Sequence, residues 1–216
     1  MPRVSLAAAT AEVAERDPVM AALVRRAGPV RLPRSRGGEA GHFGELVAAI
    51  VYQQLAGKAA AAIHGRFLAL VGGAPTPEKV LALRQEQMRA AGLSAAKTAS
   101  IRDLAAKVAE GVVPLERIAR LPDEQVVERL VVVRGIGRWT AEMFLIFRLR
   151  RLDVWPVDDL GVRAGWRLAY GLDDMPTPKQ LAPEGDRFRP YRTVAAWYCW
   201  RAVHLARGEQ AMPELR

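Results

Sequence analysis

Two short segments of this 216-residue chain carry residues whose types and spacing could do chemistry. Residues 135–137 have the sequence Gly-Ile-Gly after an apolar run and before a polar, helix-competent segment, which predicts two helices joined by a very tight hairpin. The backbone N–H groups of such a hairpin can bind a phosphate. Pro156 then leads a turn that carries the adjacent carboxylates of Asp158 and Asp159 at the start of another predicted helix. A phosphate-binding turn followed by an acid indicates chemistry on nucleic acid.

The predicted hairpin depends on its glycines. Gly135 and Gly137 allow positive φ and the close approach of a phosphate, while the side chain of Ile136 can anchor the turn in the core. Arg134 and Arg138 bracket the turn with positive charge. Taken alone, a glycine turn between helices also fits an ordinary helix C-cap, so the motif gains weight only from the segment that follows it.

Composition and charge favour a polyanionic partner. The formal net charge is +9, and clustered Lys and Arg gain affinity by releasing counterions from phosphates. Half of the residues are hydrophobic, so the chain can bury a core as one domain or as two closely packed lobes. Arginine outnumbers lysine, which a compositional bias would also explain, so charge alone does not decide for nucleic acid.

The single cysteine, Cys199, excludes an internal disulfide, a zinc site built from several thiolates and a four-cysteine iron–sulfur cluster. The histidines, His42, His64 and His204, lack metal-ligand spacing, so we expect no catalytic metal. A reduced, intracellular setting is the default expectation for such a chain. The N-terminal Ala-rich stretch is too short and too soon followed by acids for a secretion signal, and no segment has the apolar length of a membrane span.

Almost every periodic segment has helical spacing and none alternates as a strand does, so the sequence predicts an all-α fold. The predicted helices, with uncertain ends, are Ala11–Ala27, Phe43–Leu55, Lys58–Val71, Pro77–Ala91, Ala95–Glu110, Asp123–Val132, Trp139–Arg150, Asp159–Ala169 and Pro190–Arg207.

Residues 130–166, LVVVRGIGRWTAEMFLIFRLRRLDVWPVDDLGVRAGW, resemble the helix-hairpin-helix, Gly/Pro-rich loop and aspartate signature of the HhH-GPD DNA glycosylase superfamily. Within it the chain is similar to the 3-methyladenine DNA glycosylase II family. AIVYQQLAGKAAAAIHGRF resembles that family's helix with a paired-glutamine turn, GLSAAKTASIRDLA its Gly-Leu-Ser segment, and FRPYRTVAAWYCWR its C-terminal Arg-Pro-aromatic helix. The resemblance covers nearly the whole chain but not the β-sheet domain that precedes this core in some members.

The resemblance implies one HhH-GPD unit over residues 1–216, built as two helical lobes with the active-site cleft between them. Lobe A would span about residues 45–152 and include the hairpin at 133–139. Lobe B would combine about residues 1–44 with 153–216.

The resemblance also implies which acid reacts. In the family pattern the acid directly precedes Leu-Gly-Val-Arg, which assigns catalysis to Asp159. Asp158 is the alternative, and we expect it instead to cap the helix, where a carboxylate favours the exposed N–H groups.

Bifunctional relatives such as endonuclease III carry a lysine after the second hairpin glycine and nick the strand through a Schiff base. Here that position is Trp139, so the resemblance implies a monofunctional glycosylase that leaves an abasic site. Trp139 and Trp200 match tryptophans expected to line the base pocket, with Tyr52 and Met143 as weaker candidates that ordinary core packing would also explain.

Base flipping needs a side chain to fill the gap in the stack, and the family's paired-glutamine turn supplies it. Gln54 is the candidate wedge and Leu93 a second plug, although Gln54 could also be a helix-end hydrogen-bonding residue. The residues expected to bind DNA are those of the hairpin: Arg134, Gly135, Ile136, Gly137, Arg138 and Thr140.

We therefore expect a monomer that removes 3-methyladenine and related N-methylated purines from double-stranded DNA. Its expected location is the cytoplasm, at the nucleoid in a prokaryote, without membrane contact. The resemblance implies no cofactor, and at most a monovalent cation at the hairpin. Two alternatives stay open: a glycosylase for oxidised or deaminated bases on the same fold, and a non-catalytic helix-hairpin-helix protein that only binds DNA.

Overall fold

The computed structural model describes residues 4–32 and 39–209, and within these the chain forms twelve α-helices and no β-strand. The predicted all-α fold is thereby confirmed. The helices are α1 Leu6–Arg16, α2 Pro18–Ala27, α3 Glu39–Tyr52, α4 Gly57–Leu70, α5 Pro77–Ala82, α6 Gln85–Ala90, α7 Ala95–Ala109, α8 Asp123–Val131, α9 Arg138–Met143, α10 Leu160–Tyr170, α11 Pro178–Leu181 and α12 Arg192–Ala206. No helix among the described residues is both long enough and apolar enough to span a lipid bilayer.

Two of the helices predicted from the sequence are each divided into two shorter helices in the structure. The predicted Ala11–Ala27 segment breaks at Asp17, whose extended backbone precedes Pro18 and whose Oδ1 accepts the N–H groups that begin α2. A residue before proline is kept out of the helical region, which explains the break. The predicted Pro77–Ala91 helix breaks at Leu83 and Arg84, both extended.

Other elements differ from the sequence prediction at their ends. α9 continues as a π-helix over Phe144–Arg148. The predicted Trp139–Arg150 helix therefore changes from α-helical to π-helical hydrogen bonding along its length. The short helix α11 and the 3-10 segments Ile118–Arg120 and Pro183–Phe188 were not predicted, because each is too brief to show a helical period.

The chain divides into two compact units, which we call the terminal unit, Met1–Arg34 with Arg150–Arg216, and the central unit, Ser35–Leu149. Residues 1–3, 33–38 and 210–216, which the predicted lobe B would include, lie outside the described residues. The predicted cleft between the lobes stays a prediction.

The terminal unit is built on the crossing of α10 and α12. Gly165 of α10 lies so close to α12 that a Cβ atom there would sit 1.8 Å from the carbonyl oxygen of Cys199. The crossing buries Trp166, which stacks on Tyr170 at 4.0 Å between ring centroids. Only glycine permits this approach, so the crossing fixes α10 against α12.

The central unit is organised around α7, whose Ile101, Leu104 and Ala105 are fully buried. α7 packs against α3, α5 and α6. Its other residues reach the hairpin between α8 and α9 and the turn between α3 and α4, as described below.

Candidate functional site

The loop that leads into α10 is hydrogen-bonded to the start of α12. Thr193 bonds three loop residues: its N–H donates to Leu152 O at 2.9 Å, its hydroxyl donates to Arg151 O at 2.8 Å and accepts the Val154 N–H at 3.0 Å. Arg192 adds an ion pair to Asp153 at 2.7 Å. These bonds fix the loop that leads into α10.

Asp159 is the N-cap of α10 and is only 8% exposed. Its backbone N–H closes a turn on Pro156 O at 3.0 Å, and its Oδ1 accepts the Val162 N–H at 2.8 Å. The expectation that Asp158 caps the helix is therefore wrong: Asp158 is exposed, and the turn delivers the second carboxylate to the helix end.

Trp200 of α12 is bound directly to the same acid. Its indole Nε1 donates to Asp159 Oδ1 at 2.8 Å, so that oxygen takes both the capping bond and the tryptophan bond. Gly161 makes room for this contact, because a Cβ atom there would lie 2.8 Å from the Trp200 ring and 3.0 Å from Asp159 Oδ1. The structure thus brings together two residues that the sequence placed 41 positions apart.

An apolar side chain lies next to the acid. Leu160, the first residue of α10, is 65% exposed, although it is large and hydrophobic. Sequence reasoning missed Leu160 and Gly161, because neither residue type suggests chemistry by itself.

The hairpin of the central unit joins α8 to α9. Gly135 has φ of 78°, which favours glycine, and Ile136 is buried beneath the turn, as predicted. Gly137 differs from the prediction, because its φ is −92° and any residue could adopt that backbone. A Cβ atom on Gly137 would meet nothing within 4 Å, so the space beside it is open to a ligand.

The first intrahelical bond of α9 runs from Ala141 N–H to Gly137 O at 3.1 Å. The N–H groups ahead of it point out of the helix start, the geometry that suits an anion. The Thr140 side chain is buried, so a phosphate contact at this residue would come from its backbone.

The two arginines of the hairpin are held by carboxylates. Arg134 donates its backbone N–H to Asp103 Oδ2 at 2.7 Å. Arg138 makes a two-pronged ion pair with Glu124, both bonds 2.8 Å, and a longer one with Glu142. The hydrogen bond from Arg138 lowers the pKa of Glu124 and raises that of the guanidinium. Arg138 therefore clamps α8 to α9 and would have to exchange Glu124 for a phosphate to bind DNA.

The central unit also holds the other pocket candidates. Trp139 lies in the first turn of α9 and is 44% exposed, and Met143 lies four residues on, on the same helix face. Tyr52 ends α3 and meets His64 edge to face at 5.9 Å. Burial lowers the pKa of His64.

The two wedge candidates differ sharply in exposure. Gln54 is exposed and has φ of 56°, a left-handed backbone that is uncommon for any residue with a side chain. Leu93 is 2% exposed and packs inside the central unit, so the structure does not support it as a second plug. The exposed apolar residue is instead Leu55, next to Gln54 and 39% accessible, which sequence reasoning missed.

In residues 4–32 and 39–209, no group of three or more His, Cys, Asp and Glu side chains is arranged to hold a metal ion.

The glycine hairpin and the buried N-cap aspartate fit a DNA repair protein, and comparison with known families agrees. The chain belongs to the HhH-GPD superfamily of base excision DNA repair proteins, whose family model matches residues 47–190. It is 43% identical over 167 residues to DNA-3-methyladenine glycosylase 1 of Schizosaccharomyces pombe, covering 76% of this chain and 73% of that protein.

Two solved structures share the fold over almost their whole length. The S. pombe 3-methyladenine DNA glycosylase in complex with abasic DNA superposes with a TM-score of 0.80 and 37% identity, covering 95% of this chain and 99% of that one. The DNA-3-methyladenine glycosidase of Bacillus halodurans gives a TM-score of 0.84 with 36% identity, covering 94% and 93%. The predicted family and its fold class are confirmed.

Proposed function

We propose that this chain is a DNA glycosylase that removes alkylated purines, 3-methyladenine foremost, by hydrolysing the N-glycosidic bond. Family membership and the names of its relatives support this proposal. The observation that carries it is the geometry of Asp159, a buried carboxylate that a helix N–H and the indole N–H of Trp200 hold in one orientation.

The chemistry needs a fixed negative charge beside the sugar. As the base departs with the bonding electrons, positive charge builds on the deoxyribose and a water molecule then adds to the sugar carbon. A carboxylate about 4 Å from that charge, at an effective dielectric near 20, contributes about 4 kcal/mol, or roughly a thousandfold in rate. Asp159 supplies this charge in our proposal.

The aromatic candidates, exposed Trp139 and half-buried Trp200, suit an electron-poor base. A purine alkylated on a ring nitrogen is cationic, stacks well on an aromatic face and is a good leaving group. Trp200 is oriented by its bond to Asp159, and Trp139 presents its ring at the start of α9. We propose that both contact the flipped base, with Tyr52 and Met143 as secondary contacts.

Trp139 further implies that the strand stays intact. With no amine at this position, the Schiff base that bifunctional relatives form there has no nucleophile. Pure protein should therefore yield abasic sites that break only on treatment with heat or alkali. Strand breaks that appear without such treatment would contradict this part of the proposal.

DNA binding is assigned to the hairpin of a monomer acting on double-stranded DNA. Its backbone N–H groups would hold a phosphate, with a monovalent cation shared by the hairpin carbonyls. Gln54 would fill the gap that the flipped base leaves. Carboxylate stabilisation of a sugar cation needs no divalent metal, so base release should continue in the presence of EDTA.

One experiment separates this function from its alternatives. The protein is incubated with duplexes that each carry one lesion: 3-methyladenine, 7-methylguanine, 1-methyladenine, hypoxanthine, uracil or 8-oxoguanine. The proposal predicts release of the methylated purines first. Release of only 8-oxoguanine or uracil would favour the alternative substrate class, and binding without any release would favour a non-catalytic protein.

A further inference from the structure

The turn that carries Gln54 is stabilised by hydrogen bonds from a lysine ammonium group. Lys97, near the start of α7, donates through Nζ to Val51 O at 2.5 Å and to Gln53 O at 2.8 Å. These carbonyls lie at the end of α3, where a helix leaves its acceptors unsatisfied and where a cation is favoured. Partial burial lowers the pKa of this amine.

The backbone that Lys97 supports is strained. Gln54 follows Gln53 directly with φ of 56°, and a residue with a side chain stays in that region only when its surroundings hold it there. Gln54 and Leu55 are both exposed at this turn. The two carbonyl bonds of Lys97 fix the residues that set where Gln54 points.

The same turn is bonded to the hairpin. Gln53 donates its side-chain amide to Gly135 O at 2.9 Å, across 82 residues of sequence. Gly135 in turn lies against α7, because a Cβ atom there would be 2.6 Å from Ser100 Oγ. One side chain therefore joins the Gln54 turn to the phosphate-binding hairpin.

α7 acts as a common support for both elements. Lys97, Ser100 and Asp103 follow one another at intervals of three residues, so they lie along one face of the helix. In order, they contact the Gln54 turn, Gly135 and the Arg134 N–H. The distance between the Gln54 turn and the phosphate-binding hairpin is thus set by a single helix, α7.

We propose that Lys97 and Gln53 are positioning residues for base flipping. They hold Gln54, the candidate wedge, at a fixed distance from the phosphate-binding hairpin, so that both elements act on DNA as one rigid unit. This inference rests on the proposed function, because a wedge matters only where a base leaves the stack. Opening a base pair is costly, and the cost falls when the base is already unpaired. Loss of the support should therefore harm excision only where a base pair must be opened.

The test compares Lys97→Met with wild type in single-turnover excision of 7-methylguanine. One duplex pairs the lesion with cytosine, and the other places it opposite an abasic analogue. The variant should excise the paired lesion about tenfold more slowly and the unpaired lesion within about twofold of wild type. The matched control is Lys79→Met, which removes another lysine–carbonyl bond, Lys79 Nζ to Ala74 O at 2.9 Å, from α5, and should change neither rate.

Gln53→Leu is the second variant and removes no buried charge, so it tests the inference even where Lys97→Met fails to fold. Its control is Gln87→Leu, which loses the Arg84 N–H bond at 2.9 Å in α6. If the variants lose excision rate equally on both duplexes, or on neither, the positioning role is overturned. Excision by wild type in the same experiment would still support the proposed function. If wild type releases neither 7-methylguanine from these duplexes nor 3-methyladenine from DNA, the proposed function itself fails and this inference fails with it.

Discussion

Asp159 has two tasks in one short stretch of chain. It begins α10 as an N-cap, and it is the candidate catalytic carboxylate. From sequence, either acid of the pair could cap the helix, since both precede a helical segment. The turn closed by the Asp159 N–H on Pro156 O places Asp159, and not Asp158, at the helix end. A shift of one residue in the position of the cap cannot be seen in the residue types.

Gly161 controls the contact between Asp159 and Trp200. In Gly161→Ala the new methyl group would press on the Trp200 ring and move its N–H off Asp159, although alanine itself favours the helix. Since a displacement of about 1 Å in a site can reduce the rate about a hundredfold, we expect base release to slow by ten- to a hundredfold. Single-turnover excision measures this, with thermal melting expected to change little.

The control for Gly161→Ala is Gly65→Ala, a helical glycine of α4 whose Cβ would meet nothing within 4 Å. It should keep wild-type excision and gain about 0.5–1 kcal/mol of stability. Equal rates for wild type and Gly161→Ala would show that the tryptophan bond does not matter for the reaction.

At the scale of elements, the α10–α12 crossing is the most sensitive contact of the terminal unit. Gly165→Ala would place a methyl group 1.8 Å from the backbone carbonyl oxygen of Cys199, which cannot rotate away. We expect a loss of about 3 kcal/mol or more in the free energy of unfolding, measured by urea denaturation. A variant as stable as wild type would mean that the helices do not cross this closely.

Asp103 links the hairpin to α7 in a pH-dependent way. Partial burial raises the pKa of its carboxyl, but bonds from Lys107 and the Arg134 N–H outweigh this and leave the pKa below its usual value. A carboxyl with a lowered folded pKa stabilises the protein above its unfolded pKa, near 4, and loses that contribution as pH falls through the folded value.

The variant Asp103→Asn should therefore be less stable than wild type by about 1–2 kcal/mol at pH 7, and the difference should shrink below about pH 4. Urea denaturation at a series of pH values measures both. A difference that stays constant down to pH 3 would contradict the role of the charge.

At the scale of the whole molecule, the family and the all-α fold could be predicted because helical periodicity and the hairpin motif are local signals. The helix break at Asp17 was missed although the following Pro18 is a local signal for it, and the break at Leu83 was missed because its extended backbone leaves no mark in the residue types. The bonds from Lys97 to Val51 and from Gln53 to Gly135 could not be predicted, because they join residues 46 and 82 positions apart. No pattern within one helix reports such contacts.

The net charge of +9 fits the DNA partner but does not choose among reactions. Base release itself depends, in our proposal, on the carboxylate of Asp159. Asp159→Asn is a sharp test, because an asparagine Oδ1 can still accept the Val162 and Trp200 N–H groups while the charge is removed.

The decisive measurement is base release by Asp159→Asn, with binding to lesion-containing duplex followed in parallel and Asp158→Asn as the matched control. We expect Asp159→Asn to slow base release by roughly a thousandfold while its DNA affinity persists. Asp158→Asn, whose carboxylate is exposed, should stay close to wild type. Retained base release in Asp159→Asn, or its loss in Asp158→Asn, would contradict the assignment and transfer the role to Asp158.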